Sequence, residues 1–427
     1  MTSSDSLSLD ATSEPVSSRR PLTRPMLPPS WLRRLLRIVL AWSAAWWLAF
    51  GALMAPVLPG HWTTVLLAGT LLVLVPLIFL TRALSGIYPS ARVRLFAFRP
   101  FWYSQLAVPL MVMAGVMAFL AGAPFGAART TGQTAAFVVL GVVVFGGVAG
   151  YVGSRRLRVV RLNADIEGLP SALEGLRIAQ VSDTHVGPHT PQRHLRAIRT
   201  AVLGSDPDLI AITGDQVDDY PRDVEVFARA FGDFKAPLGV FAIPGNHDVY
   251  AGWPEVRAGL EAMGCTVLVN DSRPLVHRGE RFWLLGTGDP AGNGRAMDAG
   301  GDAAPDIDRT LANVPRGAFT IALAHNPALW PALADRGVAL TLSGHTHYGQ
   351  VAVPRLKWSL ASVFLDLAMG AYRRGRSLLY INPGTNYWGL PLRLGALPEV
   401  TVVTLRRAAL GRAGGIGRES GDAAKRS

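Results

Sequence analysis

Residues 176–187 read LRIAQVSDTHVG, and they decide how the second half of this chain is understood. The run from Leu176 to Val181 is short and apolar, which predicts a buried strand ending just before a polar turn. That strand would deliver Asp183 and His185 at its carboxyl end. Residues two apart on an extended segment point the same way, so this pair could grip one cation together.

Four further stretches repeat the arrangement. In DLIAITGDQVDD (208–219) the expected strand is Leu209 to Thr213, with Gly214 permitting a tight turn and Asp215 at its tip. GVFAIPGNHDVY (239–250) ends its strand at Ile243 and presents Asn246 and His247 after a Pro-Gly turn. FTIALAHNP (319–327) places His325 after a strand, and VALTLSGHTHYG (338–349) places His345 and His347 after another. Carboxylate, amide carbonyl and imidazole donors therefore gather on loops at one edge of a sheet, a mixture suited to divalent metal ions. A lone His or Asp would carry no such implication; five strand-end motifs in series do.

Taken together, the blocks resemble the calcineurin-like metallophosphoesterase superfamily. Its pattern is Asp-x-His, Gly-Asp, Gly-Asn-His-Asp/Glu, a lone His and Gly-His-x-His, and all five occur here in that order over roughly residues 155–407. The resemblance implies an α/β fold, a two-sheet sandwich flanked by helices, with a binuclear metal site at the sheet edge. It implies Asp183, His185 and His347 around a first ion, Asn246, His325 and His345 around a second, and Asp215 bridging both. His247 matches the family's catalytic histidine, with Asp248 as its orienting partner or, equally, as a helix-capping carboxylate.

Chemistry supports those roles. Two divalent ions about 4 Å apart can share an activated hydroxide, clamp phosphoryl oxygens and offset charge during in-line displacement. A proton-donating imidazole beside them could stabilise those oxygens or protonate the leaving alkoxide. Mn, Fe, Zn and Mg are all compatible with the mixed nitrogen and oxygen ligands, Mn or Fe being favoured.

Other residues are read more plainly. Asp218 and Asp219 are expected in an acidic, solvated loop, and PQRHLRAIRTAVL as an amphipathic helix that carries His189 and His194 on its surface. Tyr348 stands where a glycine often follows the second His of the Gly-His-x-His block, which bears on the shape of the substrate mouth. The segment WSLASVFLDLAMGAYRR (358–374) is unusually apolar for a stretch so close to a polar site; it could cover the site, touch a bilayer or simply pack.

The front of the chain is of another kind. Hydrophobic residues make up 49% of its 427 residues and charged residues 17%, with a mean hydropathy of +0.26. Four apolar stretches explain the excess: Ile38 to Val57, Thr63 to Leu80, Leu106 to Phe125 and Ala135 to Val152. Each is near the length of about 20 residues that crosses a bilayer as a helix. Arg19, Arg20, Arg24, Arg33, Arg34 and Arg37 precede the first. Arg82, Arg92, Arg94 and Arg99 lie between the second and third, and Arg155, Arg156, Arg158 and Arg161 follow the fourth. The positive-inside rule then puts the N-terminus, the middle loop and the catalytic half in the cytoplasm, held at the plasma membrane.

The expected organisation is a disordered basic tail (1–30), an all-α region of four transmembrane helices (31–153), a metallophosphoesterase domain (154–407) and a mobile tail (408–427). Net charge is +12, but much of it flanks the spans, where orientation and anionic lipid account for it better than nucleic acid does. A single cysteine, Cys265, excludes an intrachain disulfide. The expected function is a membrane-bound hydrolase of phosphodiester or pyrophosphate bonds, with lipid-linked substrates first. A membrane sensor or scaffold with a substrate-binding phosphoesterase-like domain, and a metal-dependent nuclease, remain as alternatives.

Overall fold

The computed structural model describes residues 29–55, 62–84, 90–187, 190–293, 302–409 and 414–418. By its internal contacts the chain divides into two units, Met1–Phe145 and Gly146–Ser427.

The first unit is helical. Helices Pro29–Met54, Trp62–Leu84 and Arg99–Gly122 are followed by a fourth, Ala128–Gly153, whose last turns belong to the second unit. Among the described residues, the segments long and apolar enough to cross a membrane are Arg33–Met54, Thr63–Thr81, Arg94–Phe125 and Ala128–Gly153. They extend beyond the expected stretches at several ends because flanking arginines and small residues continue a helix, their charged heads reaching back to water. Val57 lies outside the described residues. Small side chains let the helices approach: a Cβ on Gly132 would lie 2.8 Å from the Gly115 carbonyl oxygen. Ser43 Oγ donates to Gln105 Oε1 across two helices at 2.9 Å. The outward faces are apolar too, with Leu67, Met117 and Val142 exposed, a surface that lipid would cover and water would not.

In the second unit two sheets carry the chain. The first has the order β15-β1-β14-β2-β3-β4-β5, built from β15 (Gly415–Arg418), β1 (Arg158–Ile166), β14 (Glu399–Arg407), β2 (Arg177–Val181), β3 (Leu209–Thr213), β4 (Val240–Ile243) and β5 (Thr266–Val267). The second runs β12-β13-β9-β8-β7-β6: β12 (Gly370–Arg374), β13 (Ser377–Ile381), β9 (Leu340–Ser343), β8 (Thr320–Leu323), β7 (Glu280–Gly286) and β6 (Asp271–His277). Neighbours β2, β3 and β4 are parallel, as are β7, β8, β9 and β13. Their ends therefore emerge together at one edge.

Alternation explains the layering. In β3, Leu209 and Ala211 enter the core shared with Ile321, Leu323, Leu340 and Leu342 of the other sheet. Ile210 and Ile212 point the other way, under Leu195, Phe227 and Trp253 of the flanking helices. Both faces are covered, which is why these strands read as continuous apolar runs rather than an alternating pattern. This is the α/β sandwich flanked by helices that the motifs implied. Part of the tail expected to be mobile, Gly415–Arg418, instead pairs antiparallel with β1. Its Ile416 packs on the inter-sheet core, an anchor that the surrounding Gly and Arg residues conceal.

Candidate metal centre

Asp183 and His185 follow β2, Asp215 follows β3, Asn246 and His247 follow β4, His325 follows β8, and His345 and His347 follow β9. Their side chains converge. His185 Nε2 lies 2.9 Å from His347 Nε2, which is 3.3 Å from Asp183 Oδ1. On the other side, Asn246 Oδ1 is 2.7 Å from His345 Nδ1 and 3.2 Å from His325 Nε2. Between the two sets stands Asp215, whose Oδ2 is 3.6 Å from His185 Nε2 and 3.2 Å from His325 Nε2. Its other oxygen is taken by the His247 backbone N–H at 2.8 Å.

The pairs two residues apart do not converge through a strand pleat. Asp183 and His185 have φ of 52° and 40°, so the extended geometry expected of them is replaced by left-handed backbone. His345 and His347, at 71° and 49°, turn to opposite donor sets. With Asp215 at 53°, five of the seven expected ligands lie in a region that non-glycine residues rarely enter, at a cost of roughly 1–3 kcal/mol each. Strain of that kind persists where surrounding structure holds it and clusters at functional sites.

Backbone groups fix the ligands' orientation. His325 Nδ1 is 2.8 Å from the Thr213 carbonyl oxygen, which leaves Nε2 facing the centre. The His345 backbone N–H donates to both oxygens of Asp183, at 3.0 and 3.2 Å. Two glycines allow this crowding. Gly214 has φ +91°, and a Cβ there would strike His325 Nδ1; a Cβ on Gly344 would strike Ser182 Oγ and Asp183 Oδ2.

Electrostatics separates the rings. Burial, then the neighbouring His325 charge, pushes His345 down to about 4. Burial and the Arg393 guanidinium hold His347 well below the usual imidazole range. Both rings thus resist protonation. For His325 burial favours the neutral ring, but Asp215 overrides it and raises the pKa well above normal. Asp215 moves oppositely: burial works against its charge, yet His325 holds it well below the usual carboxylate range. A buried set of carboxylates, imidazoles and one amide oxygen, with several nitrogens facing one another, suits cations better than mutual hydrogen bonding. Groups of three potential ligands, Asp183 with His185 and His347, and Asp183 with Asp215 and His325, lie with one donor atom each within 4.8 Å of one another.

Several neighbours differ from expectation. Asp248 does not orient the His247 ring; its carboxylate accepts backbone N–H groups of Asp215 (2.8 Å), Gln216 (2.9 Å), Val217 (3.1 Å) and Gly245 (2.8 Å). Burial, with Asp215 beside it, pushes Asp248 up to about 7, against those donors. His247 Nδ1 instead lies 2.9 Å from the Asp218 carbonyl oxygen. Asp218 is buried, not solvated, with Oδ1 3.3 Å from His185 Nδ1, because the loop after β2 packs over the loop after β3. His194 is also buried, its Nε2 2.7 Å from the Thr385 carbonyl oxygen, since the helix Gln192–Leu203 turns that ring toward the loop after β13. His189 lies outside the described residues. Tyr348 packs inward, its hydroxyl donating to the Ile381 carbonyl oxygen at 2.7 Å.

Three contributors were not singled out in the sequence. Arg393 is fully buried, and its Nη2 lies 2.6 Å from His347 Nδ1. Tyr250 and Trp388, both exposed, flank His247 with ring centroids 5.9 and 5.6 Å away. The only sequence signal for Arg393 was an arginine inside an apolar segment, GLPLRLGAL (389–397).

Comparison with known proteins follows the same lines. Residues 176–349 match the family described as calcineurin-like phosphoesterase. A transmembrane protein with metallophosphoesterase domain from Danio rerio is 34% identical over 59% of this chain and 58% of its own length. YkuE of Bacillus subtilis, an uncharacterized metallophosphoesterase, is 29% identical over 61% of this chain and 89% of that one. A solved dimetal phosphatase from Danio rerio aligns with TM-score 0.32 and 12% identity over 49% of this chain and 88% of that chain. The chain thus spans less than two thirds of the length of the first of these relatives.

Proposed function

We propose that this chain, which carries a calcineurin-like phosphoesterase domain, is a membrane-bound binuclear hydrolase of phosphodiester or pyrophosphate bonds. The observation that supports it best is the Asp215 carboxylate, within 3.6 Å of His185 Nε2 on one side and 3.2 Å of His325 Nε2 on the other. Asp183, His185 and His347 would hold one divalent ion, Asn246, His325 and His345 a second, and Asp215 both. Mn, Fe, Zn or Mg would serve, with Mn or Fe favoured by the ligand types. When bound, such ions supply Lewis acidity, activating water and offsetting negative charge on the phosphoryl group.

The chain's own groups do the rest. A water oxygen forms the new bond to phosphorus as the bond to the leaving oxygen breaks. His247 Nδ1–H donates to the Asp218 carbonyl, so Nε2 gives a proton to that leaving oxygen from the doubly protonated ring, while the attacking water's proton passes to solvent. Tyr250 and Trp388 flank the histidine ring. The domain would occupy residues 154–407 on the cytoplasmic side of the plasma membrane. Lipid-linked phosphoesters are the first substrate class, because an enzyme tethered by four spans meets them at high effective concentration.

Detergent-purified protein with Mn is tested on bis-p-nitrophenyl phosphate beside Asp215→Asn and His247→Ala. Metal-dependent turnover that both substitutions abolish supports the reading. A well-folded wild type that binds metal but matches the two variants across Mn, Fe, Zn and Mg removes the phosphodiesterase claim.

A further inference from the structure

Between the metal centre and β12 the chain lays out a surface that no catalytic role uses. Strands β10 (Ala352–Val353) and β11 (Trp358–Ser359) form a short hairpin, and the turn Leu360–Val363 follows it. Leu356 is 75% exposed, Val363 59% and Phe364 79%, with Trp358 and Leu365 also in the open. Large apolar side chains gathered in this way mark a contact surface. Arg355 and Lys357 flank Leu356, both exposed, and Asp366 is the one acid of residues 353–366. Apolar side chains rimmed by cations, with a tryptophan among them, match an anionic membrane interface.

The hairpin's neighbours say what covers it. Leu394 bonds both ways with this segment, its N–H donating to the Gln350 carbonyl at 2.9 Å and its carbonyl accepting from Ala352 N–H at 2.8 Å. The adjoining Arg393 N–H donates to the Gly150 carbonyl oxygen at 2.9 Å. Leu392 packs on Gly150, its Cδ1 2.4 Å from where a Cβ there would lie. Gly150 lies in the last turns of an apolar membrane-length helix, between the exposed Val148 and Val152 and just before Arg155 and Arg156. Those arginines mark where the helix meets headgroups. Two hydrogen-bonded steps therefore join that depth to the hairpin.

We infer that the Val353–Leu365 surface docks on the lipid headgroup region beside the end of the fourth span. The occupant is the bilayer itself, its acyl boundary receiving Leu356 and Phe364 and its anionic headgroups meeting Arg355 and Lys357. Leu360 reaches Gly349, two residues past His347, so docking brings the mouth of the metal centre to the headgroups. Only this last consequence, a headgroup phosphoester as substrate, rests on the proposed hydrolase.

The test uses the full chain in nanodiscs of phosphatidylcholine alone or with phosphatidylglycerol. Its buried Cys265 is left in place. Phe364→Cys carries an environment-sensitive fluorophore, Val363→Cys provides a second probe, and Arg316→Cys, exposed just before β8 at the sheet edge away from the site, is the reference. Docking predicts several-fold stronger quenching by doxyl lipid at 363 and 364 than at 316, enhanced by phosphatidylglycerol. Equal quenching at all three positions, or none at 363 and 364 in either lipid, overturns the proposal and leaves the surface to a protein partner or a second copy. The readout needs neither metal nor turnover, so it fails or succeeds apart from the enzymatic reading.

Discussion

Asp248 is fully buried and accepts four backbone N–H groups that define the loops carrying Asp215 and Asn246. Replacing it with asparagine turns one acceptor oxygen into an NH2 donor that faces donors. Asp248→Asn should cost on the order of 2 kcal/mol, read as a lower apparent melting temperature of the detergent-purified protein. Gly344 makes the complementary case. A methyl there collides with Asp183 Oδ2 and Ser182 Oγ, so Gly344→Ala should weaken metal binding about tenfold or more, measured as bound Mn after equilibrium dialysis. Unchanged metal content would mean that the loop yields without moving Asp183. Motifs announce these residues because glycine and short polar side chains at strand ends have few other uses. Arg393 and Trp388 were not announced. Each reaches the centre from a segment with no pattern of its own, and only tertiary packing brings them there.

At the scale of elements, burial is the quantity that sequence conveyed well. Strands β2, β3, β4, β8 and β9 were legible because both faces are covered, leaving short apolar runs between turns. The helix Gln192–Leu203 was legible as amphipathic, but which polar residue faces inward was not, since the Thr385 carbonyl that receives His194 lies far along the chain. The 3-10 turn Pro221–Asp223 carries a further consequence of burial. Asp223 is pushed up to about 7, chiefly by burial, and its Oδ2 has no hydrogen-bond partner among the described residues. The folded state therefore keeps a proton that the unfolded chain, with an ordinary carboxyl, has released. Between the unfolded pKa near 3.8 and the folded value near 7 the native state binds more protons, so stability falls as pH rises through that window. Asp223→Asn removes the ionisation. It should flatten this slope and stabilise the protein at pH above the window by on the order of 1 kcal/mol or more, seen as a melting-temperature gain at alkaline but not acidic pH. An equal shift at both ends of the range would assign the effect to packing instead.

For the whole molecule, the four apolar helices and the arginines around them make one physical statement about sidedness. A bilayer tolerates an arginine beside a helix end far better than at its centre, and the cytoplasmic face retains it. Arginine clusters precede the first span, separate the second from the third, and follow the fourth, whereas the loops between the first and second and between the third and fourth hold only Arg129. An even number of crossings would return the chain to the side where it began, and the proposed orientation puts the domain with the metal centre on the same side as the N-terminus. In spheroplasts expressing full-length Arg316→Cys, a membrane-impermeant maleimide should leave the exposed thiol unlabelled until the membrane is opened, while a thiol at Arg129→Cys should label in intact spheroplasts. The reverse pattern would place the metal centre outside the cell. That outcome would restrict its substrates to phosphoesters of the outer leaflet or periplasm, and the arginine flanks would then need an explanation other than orientation.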